Sequence, residues 1–280
     1  MWSEVANINT YRYMYGSIGS VVPRTEELLE WCKKPTTVAT TTRTTVATTT
    51  RKTTTRGPTT TSKPAELPQK TGFLMAGGYT NQTGRNTYSS AAGVVDSSGR
   101  FCELPPVNPR RYAHTMNGLT ACGGSGSTSS MKTCVTFNTT SGKWDVTYKL
   151  PYSLYLHVSW ENSQGILLMG NRYEATANKT LLLLPDGKTK PSFDLVNPTY
   201  GACNIEDPST NSVIMTGGYD PVARKYHRNN VRYGEKGFIE YLPNSTYNFI
   251  YHGCAGYYEG KNQAISYLIF IFQLTLSILL

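Results

Sequence analysis

A strand-like apolar segment that ends in two small residues recurs four times, and this repeat constrains the fold more than any other feature of the sequence. The four segments read FLMAGGYT, ACGGSGS, LLMGNRYE and IMTGGYDP. Their terminal pairs are Gly77-Gly78, Gly123-Gly124, Gly170-Asn171 and Gly217-Gly218, so the first glycines are 46, 47 and 47 residues apart. Asparagine is the residue best able to replace glycine at positive φ, and we interpret Asn171 in this way. The constant period indicates one structural unit per repeat.

The remainder of each unit also recurs and divides it into about four short strands. An aromatic residue follows a turn roughly twenty residues after the first glycine, and these residues are Phe101, Trp144, Phe193 and Phe238. A leucine and then a tyrosine-led segment come next, as in Leu150 and Tyr155 of the second unit. Four strands in a period of about 40–50 residues predict an all-β fold, a β-propeller with one sheet per blade. The composition agrees, since 20 tyrosines and 25 glycines are typical of strands and turns.

The strand ending in Gly-Gly, followed downstream by a tryptophan, resembles the kelch family, including its extracellular, cysteine-containing members. The likeness covers residues 73 to about 258 and is strongest from Cys122 to Trp144. It implies a kelch-type propeller with about four recognisable four-stranded blades, in which the glycine pairs and the four aromatic residues are structural positions. Only the second unit keeps the tryptophan, Asn171 departs from the glycine pair, and kelch propellers usually have five to seven blades.

Two arrangements of the blades stay open. The first unit begins at the strand before Gly77 and lacks an innermost strand, whereas a further innermost strand is predicted at residues 251–258. If that C-terminal strand completes the first blade, four blades close into a ring. Otherwise the four units form an incomplete propeller, a fragment of a larger kelch protein.

Composition divides the chain into four segments. Residues 1–35 are an N-terminal segment with a short helix at 24–34, residues 36–70 are Thr-rich, residues 71–258 form the propeller, and residues 259–280 are a hydrophobic tail. Sixteen of the 27 residues at 36–62 are threonine, so this tract has little to bury and is predicted to be disordered. Threonine with proline is typical of O-glycosylated stalks, and an unmodified linker is the alternative.

Glycosylation motifs and cysteines indicate an extracellular or cell-surface location. The N-glycosylation pattern occurs in predicted loops at Asn81, Asn138, Asn178 and Asn244. The six cysteines include no CxxC pair, and an even number fits disulfides in an oxidising compartment. We expect a Cys122–Cys134 bridge within a hairpin and a Cys203–Cys254 bridge between neighbouring blades. Cys32 and Cys102 have no assigned partner.

The two ends of the chain give different signs about its location. The first twenty residues do not resemble a signal peptide. The uncharged residues 264–280 follow small residues and a polar spacer, which resembles a glycolipid-anchor signal that would attach the chain to a membrane. A buried strand pair, or a non-native end of a truncated gene model, would explain the same residues.

The net charge of +9 invites a nucleic-acid interpretation, but its distribution argues against one. Residues 33–63 contain seven basic residues and no acid, which leaves a net charge of +2 for the rest of the chain. We therefore expect no basic face on the propeller and no nucleic-acid partner.

No motif indicates a catalytic, cofactor-binding or metal-binding residue. The segment from Gly124 lacks the third glycine of a dinucleotide-binding loop and the Gly-Lys-Ser/Thr of a phosphate loop. His114, His157 and His252 lie near predicted innermost strands and could bind zinc or copper. Recurrence once per blade is also what a structural position gives, and we favour that interpretation.

The sequence thus favours a non-enzymatic interaction module, a kelch-like propeller on a Thr-rich stalk whose loops or channel mouth bind a protein or a glycan. This step is a family analogy, because a fold does not fix a function. The alternative from another class is a propeller enzyme of galactose-oxidase-like or hydrolytic type. Such an enzyme needs histidine, tyrosine or acidic side chains that converge in the channel.

Overall fold

The computed structural model describes residues 12–13, 19–23, 71–82, 85–96, 101–126 and 129–250. In these ranges the chain is β-structure apart from turns and one 3-10 helix, η1 (Glu174–Thr176). The strands of the first half are β1 (Arg12–Tyr13), β2 (Gly19–Pro23), β3 (Thr71–Ala76), β4 (Tyr79–Gln82), β5 (Arg85–Tyr88), β6 (Ala92–Asp96), β7 (Phe101–Leu104), β8 (Thr115–Asn117), β9 (Thr120–Cys122), β10 (Thr133–Asn138) and β11 (Lys143–Lys149). Those of the second half are β12 (Val158–Asn162), β13 (Gly165–Met169), β14 (Lys179–Leu183), β15 (Thr189–Asp194), β16 (Cys203–Asp207), β17 (Ser212–Thr216), β18 (Tyr219–Asp220), β19 (Lys225–Tyr226), β20 (Asn230–Gly234) and β21 (Gly237–Leu242).

Four antiparallel sheets of four strands each form a four-blade, propeller-like arrangement, which confirms the predicted fold class. From the innermost to the outermost strand, the blades are β2-β3-β6-β7, β8-β9-β10-β11, β12-β13-β14-β15 and β16-β17-β20-β21. The innermost strands contact one another in chain order, β2 with β8, β8 with β12, and β12 with β16. Two hairpins extend from the blades between the second and third strands, β4-β5 in blade 1, where β1 also pairs, and β18-β19 in blade 4.

The first blade takes its innermost strand from the N-terminal side of the chain. β2 pairs antiparallel with β3, with Gly19 opposite Met75 and Pro23 opposite Thr71. The first unit therefore does not lack an innermost strand, and the alternative in which residues 251–258 supply it is excluded because β2 already lies beside β3. Residues 251–258 themselves lie outside the described residues, and so does His252.

Alternation of side chains across each strand gives every inner blade two apolar faces. In β13, Leu168 points toward blade 2, whereas Leu167 and Met169 point toward blade 4. Three buried clusters result, centred on Leu74, Phe137 and Trp144 between blades 1 and 2, on Leu154, Leu168 and Leu183 between blades 2 and 3, and on Trp160, Met169 and Tyr233 between blades 3 and 4. Burial between adjacent blades thus stabilises the arrangement.

The predicted bridge between Cys122 and Cys134 is confirmed. The two residues are directly opposite each other in β9 and β10, with Cα atoms 4.0 Å apart, and they form a disulfide. Cys102 and Cys203 are also disulfide-bonded. The predicted partner of Cys203 is Cys254, which lies outside the described residues, so that pairing stays a prediction.

Several predicted segments lie outside the described residues. They are the helix at 24–34, the whole Thr-rich segment at 36–70 and the hydrophobic tail at 259–280. Over the ranges that the structure does describe, no helix has the length and apolar character needed to cross a membrane.

Candidate binding face

The second residue of each glycine pair forms the same hydrogen bond in all four blades. Its backbone N–H donates to a carbonyl oxygen in the segment that follows the blade, at 2.6–2.9 Å. The pairs of donor and acceptor are Gly78 and Arg111, Gly124 and Leu154, Asn171 and Thr199, and Gly218 and Phe249. The repeated pairs therefore tie each blade to the segment that leads onward from it.

In three of the four pairs, the first residue is a glycine because a carbonyl oxygen lies against it. Gly77, Gly123 and Gly170 have φ between +60° and +77°, and a Cβ there would lie 2.4–2.6 Å from the carbonyl oxygen of Arg111, Leu154 or Thr199. A real Cβ does not approach a backbone oxygen so closely. The glycines of ACGGSGSTSS are consequently positions of close backbone approach rather than a phosphate-binding loop.

Asn171 does not replace glycine at positive φ, which corrects the interpretation drawn from the sequence. It is absent from the positive-φ residues of the described chain, and its side chain has a different task. Its Oδ1 accepts the N–H of Tyr155 at 3.0 Å, and its Nδ2 donates to the carbonyl of Ser153 and to Oγ1 of Thr176, both at 2.8 Å. A buried asparagine thus connects two loops of neighbouring blades.

The recurring aromatic residues have different surroundings in the four blades. Trp144 is buried, and its Nε1–H donates to the carbonyl of Pro105 at 2.9 Å, which ties blade 2 to blade 1. Phe193 of blade 3 stacks on Tyr233 of blade 4, with ring centroids 5.7 Å apart. Phe101 and Phe238 of the outer blades are 52% and 43% exposed. The aromatic position therefore lies in an interface in the two middle blades.

Two sets of loops meet at one end of the propeller. The second strand of each blade runs antiparallel to the innermost strand, so the end of the second strand lies beside the start of the innermost strand. The loops that follow the second strands therefore meet the loops that precede the innermost strands. We call this end the loop face, and its described part consists of residues 77–82, 85–91, 105–114, 123–126, 129–132, 150–157, 170–178, 195–202, 217–229 and 243–250. The described part of the opposite end, the turn face, consists of the short turns at residues 118–119, 139–142, 163–164, 184–188, 208–211 and 235–236. Antiparallel bridges from Tyr112 to Ser125 and from Tyr200 to Tyr219 connect the two sets of loops on the loop face.

The loop face holds ten of the 20 tyrosines of the chain. They are Tyr79, Tyr88, Tyr112, Tyr152, Tyr155, Tyr173, Tyr200, Tyr219, Tyr226 and Tyr247. The turns of the turn face contain none. Half of the tyrosines are therefore concentrated at one end of the molecule.

The tyrosines of the loop face hold one another in place. Tyr88 stacks on Tyr112 with centroids 5.0 Å apart, and Tyr155 meets Tyr112 edge to face, with its hydroxyl donating to that of Tyr112 at 3.0 Å. Tyr219 contacts both Tyr200 and Tyr226, at 5.4 and 5.0 Å between centroids. The same position in successive segments is occupied by Tyr112, Tyr155 and Tyr200. Each directly precedes a residue at positive φ. The surface is thus a packed aromatic layer rather than a set of separate side chains.

The loop face is also basic, which corrects the expectation drawn from the net charge. In its described part, six basic side chains are exposed, and they are Arg110, Lys132, Arg172, Arg224, Lys225 and Arg228. Of its two acidic residues, Glu174 is exposed and Asp220 is buried, with its Oδ1 accepting the N–H groups of Val222 and Ala223. The net charge of +2 hid this asymmetry because a sum over the chain does not say which loops share an end.

Beneath the loop face lies a buried group of nitrogen-containing side chains. Arg111 is fully buried, and its Nη1 donates to the carbonyls of Ala121, Gly123 and Thr133 at 3.1–3.2 Å. Burial lowers the pKa of Arg111 to about 10, so its guanidinium stays charged at neutral pH.

The two described candidate histidines are buried and neutral. Burial lowers the pKa of His157 to about 3, and its Nε2 lies 3.0 Å from Oγ1 of Thr115. Burial, and then the charges of Arg111 and His157, hold the pKa of His114 well below its ordinary value. No group of three metal-binding side chains occurs among the described residues. Since His252 lies outside them, the three-histidine site stays untested.

The four predicted glycosylation sites have different positions in the fold. Asn138 is exposed at the end of β10, and its Oδ1 accepts the N–H groups of Thr140 and Ser141 at 3.0 Å. Asn178 directly precedes β14, and Asn244 is exposed after β21. Asn81 lies within β4, so the structure replaces the loop expected there by the β4-β5 hairpin.

An open groove of about 520 Å³ lies on the outer rim between blades 2 and 3, away from the loop face. It is lined by Val146, Thr147, Tyr148, Lys149, Gly187, Lys188 and Thr189. The lining contains no histidine or carboxylate, so it does not offer an acid–base pair or a metal site.

Comparisons with known proteins give a likeness in fold. No protein-family model and no curated protein matches the chain. The solved structure of YjhT is similar, with a TM-score of 0.54 and 11% sequence identity over 65% of this chain and 70% of that chain. At this level of identity, the similarity concerns the fold alone.

Proposed function

We propose that this protein is an extracellular or cell-surface, kelch-like propeller that acts as an interaction module and binds a protein or a glycan through its loop face. The observation that carries the proposal is the concentration of tyrosines and exposed basic residues at one end of the propeller. The Cys122–Cys134 disulfide supports the location, because such bridges persist in oxidising compartments.

Tyrosine suits a recognition surface for physical reasons. It offers a large rigid ring and a polar hydroxyl, and it loses little conformational entropy on binding because it has only two side-chain torsions. On the loop face, the contacts of Tyr112 with Tyr88 and Tyr155 have already fixed the rings. A ligand that binds there therefore meets a surface with little left to order.

A propeller enzyme has weaker support. A general acid or base must reach the proton that it transfers, and His114 and His157 are 0% and 2% exposed. Both rings pack against glycines of the preceding blade, His114 beside Gly77 and His157 beside Gly123. Stoichiometric zinc or copper in the purified chain would nevertheless favour the enzyme.

The binding proposal is tested by replacing exposed tyrosines one at a time. The full chain would be screened against arrayed glycans and secreted proteins, and ligands of the wild type would then be measured with Tyr173→Ser and Tyr226→Ser. These side chains are 45% and 53% exposed on the loop face, whereas the matched control Tyr241→Ser changes a side chain that is 55% exposed on β21. We expect at least tenfold weaker binding for the two loop-face variants, a loss typical of residues that anchor an interface. The control should bind as tightly as the wild type. Equal effects of all three would overturn the proposal.

The extracellular location has its own test. Enzymatic removal of N-linked glycans from secreted protein should shift its mobility, and Asn138→Gln and Asn244→Gln should each remove part of that shift. Both side chains are exposed. Secreted material that shows no shift would argue against the glycosylation sites.

A further inference from the structure

The charge of the loop face selects among ligands. Six exposed basic side chains stand against one exposed acid in its described part, whereas the turn face carries both signs, as with Asp186 beside Lys188 and Glu235 beside Lys236. Asp220 does not reduce the positive potential at the surface, because its carboxylate is buried and accepts two backbone N–H groups. A surface with one sign of charge raises the local concentration of ligands of the opposite sign. The ligand is therefore expected to be anionic.

The polar character of the same surface distinguishes a glycan from a protein. Protein–protein interfaces are enriched in tyrosine and arginine, but their cores are apolar and depleted of lysine. In the described part of the loop face, the exposed large aliphatic side chains are Val196 and Val222, and basic residues lie among the tyrosines. Such a surface has few anchors for an apolar partner and many donors for a ligand rich in oxygen.

The tyrosine layer fits the other part of a saccharide. A pyranose ring has a face of C–H groups and an edge of hydroxyls, which match the face and the hydroxyl of tyrosine. Arg172 lies over the ring of Tyr155, with its guanidinium carbon 5.5 Å from the ring centroid. A cationic hydrogen-bond donor for anions is therefore placed directly at the aromatic layer. A guanidinium binds sulfate or carboxylate through two parallel N–H groups.

We infer that the ligand of the loop face is an anionic glycan, whose sulfate or carboxylate groups bind the exposed arginines and lysines while its sugar rings lie against the tyrosines. This inference rests on the proposed function, and it names the class of ligand for the same surface.

The test measures binding of the full chain to defined polymers of equal length. The probes are sulfated dextran, unsulfated dextran and polygalacturonate, with poly-glutamate and single-stranded oligo-dT as anions of other classes. We expect sulfated dextran or polygalacturonate to bind at least tenfold more tightly than unsulfated dextran, as charge-assisted hydrogen bonds require. Which of the two binds better identifies sulfate or carboxylate as the natural group.

Two pairs of substitutions with equal charge change locate the binding. Arg110→Gln with Arg172→Gln removes two charges from the loop face, and Lys143→Gln with Lys236→Gln removes two exposed charges near the turn face. We expect the first pair to weaken binding about tenfold or more and the second to leave it unchanged. If the first pair impairs folding, as judged by circular dichroism, Arg224→Gln with Lys225→Gln in the β18-β19 hairpin replaces it.

Each remaining outcome overturns the inference. Equal binding of sulfated and unsulfated dextran would exclude recognition of charge, and equal loss in both pairs of variants would exclude the loop face. Binding of poly-glutamate or oligo-dT as tight as that of the anionic glycans would indicate an acidic protein or a nucleic acid instead. If no anionic glycan binds while a neutral ligand is lost in Tyr173→Ser, the inference fails and the proposed function stands.

Discussion

The two ends of the propeller differ in the length of the connections between strands. The loop face has long connections that differ from blade to blade, whereas the described turn face has short turns. In the described part of the turn face, no turn between strands has more than five residues, and residues 24–70, which join β2 to β3, lie outside the described residues. On the loop face, the second and third strands are joined by residues 77–91 in blade 1 and 217–229 in blade 4, and both segments contain a hairpin. Long loops on a rigid scaffold are where binding residues concentrate. The comparison therefore supports the proposed recognition at the loop face, although the base of the loop face is itself structural.

The largest expected effect contrasts two glycines at the two ends of blade 2. Gly123→Ala should cost about 4 kcal/mol or more in unfolding free energy, because a Cβ would lie 2.6 Å from the carbonyl oxygen of Leu154 and 2.9 Å from the ring of His157. Gly118→Ala on the turn face also has positive φ, but a Cβ there meets nothing within 4 Å, so it should cost about 1–2 kcal/mol. Urea denaturation of both variants measures the difference. Equal costs would mean that conformation, and not contact, fixes Gly123.

The second effect compares two cross-strand pairs in the same hairpin. The Cys122–Cys134 bridge lies toward the loop face, and its replacement by two alanines should cost about 2–4 kcal/mol. Thr120 and Thr136 are opposite each other toward the turn face, with hydroxyls 2.9 Å apart, and their replacement by valines should cost about 1 kcal/mol or less. Denaturation without reductant gives both values. A bridge no more important than the threonine pair would contradict the expectation.

The third effect is a loss of stability on mild acidification. The folded-state pKa values of His114 and His157 are lowered by burial, so the unfolded chain binds more protons below its histidine pKa of about 6.5. Stability is then full above that pH and falls as the pH drops toward the folded values. Between pH 6.5 and 5.5, the two histidines together should cost about 2 kcal/mol. His157→Gln should remove about half of this dependence, and an unchanged dependence would show that His157 is not the source.

The sequence predicted the framework because the framework repeats. The first residue of each pair, Gly77, Gly123, Gly170 or Gly217, has positive φ, and in the first three blades a carbonyl oxygen also lies against it, so the same local requirement recurs along the chain. The Cys122–Cys134 bridge was predictable for a similar reason, since a hairpin places its two strands in known proximity.

The features that the sequence could not predict depend on pairing over long distances. β2 joins β3 across the Thr-rich residues 36–70, and its five residues GSVVP carry no repeat signal. Asn171 is a buried hydrogen-bonding residue, which its place in the repeat did not reveal. The basic loop face becomes visible only when the loops are assigned to one end. Arg172 directly follows the pair Gly170-Asn171, and that position was the signal that could have found it.

The smallest effect tests the turn face by itself. The Glu235 carboxylate accepts the hydroxyl of Ser163 at 2.5 Å, Nδ2 of Asn211 at 2.9 Å and the N–H of Ser163 at 3.0 Å, and these donors lower its pKa to about 2. Because the site is exposed, Glu235→Gln should lower the melting temperature only slightly at pH 7. A lowered carboxyl pKa contributes stability that is present above the unfolded value of about 4.5 and is lost as the pH falls toward 2. The difference between variant and wild type should therefore persist from pH 6.5 to 5.5, where the histidines titrate, and shrink below pH 4.5. Melting curves at pH 6.5, 5.5 and 3.5 separate the two ends, and a difference that vanished already at pH 5.5 would mean that Glu235 is coupled to the loop-face histidines.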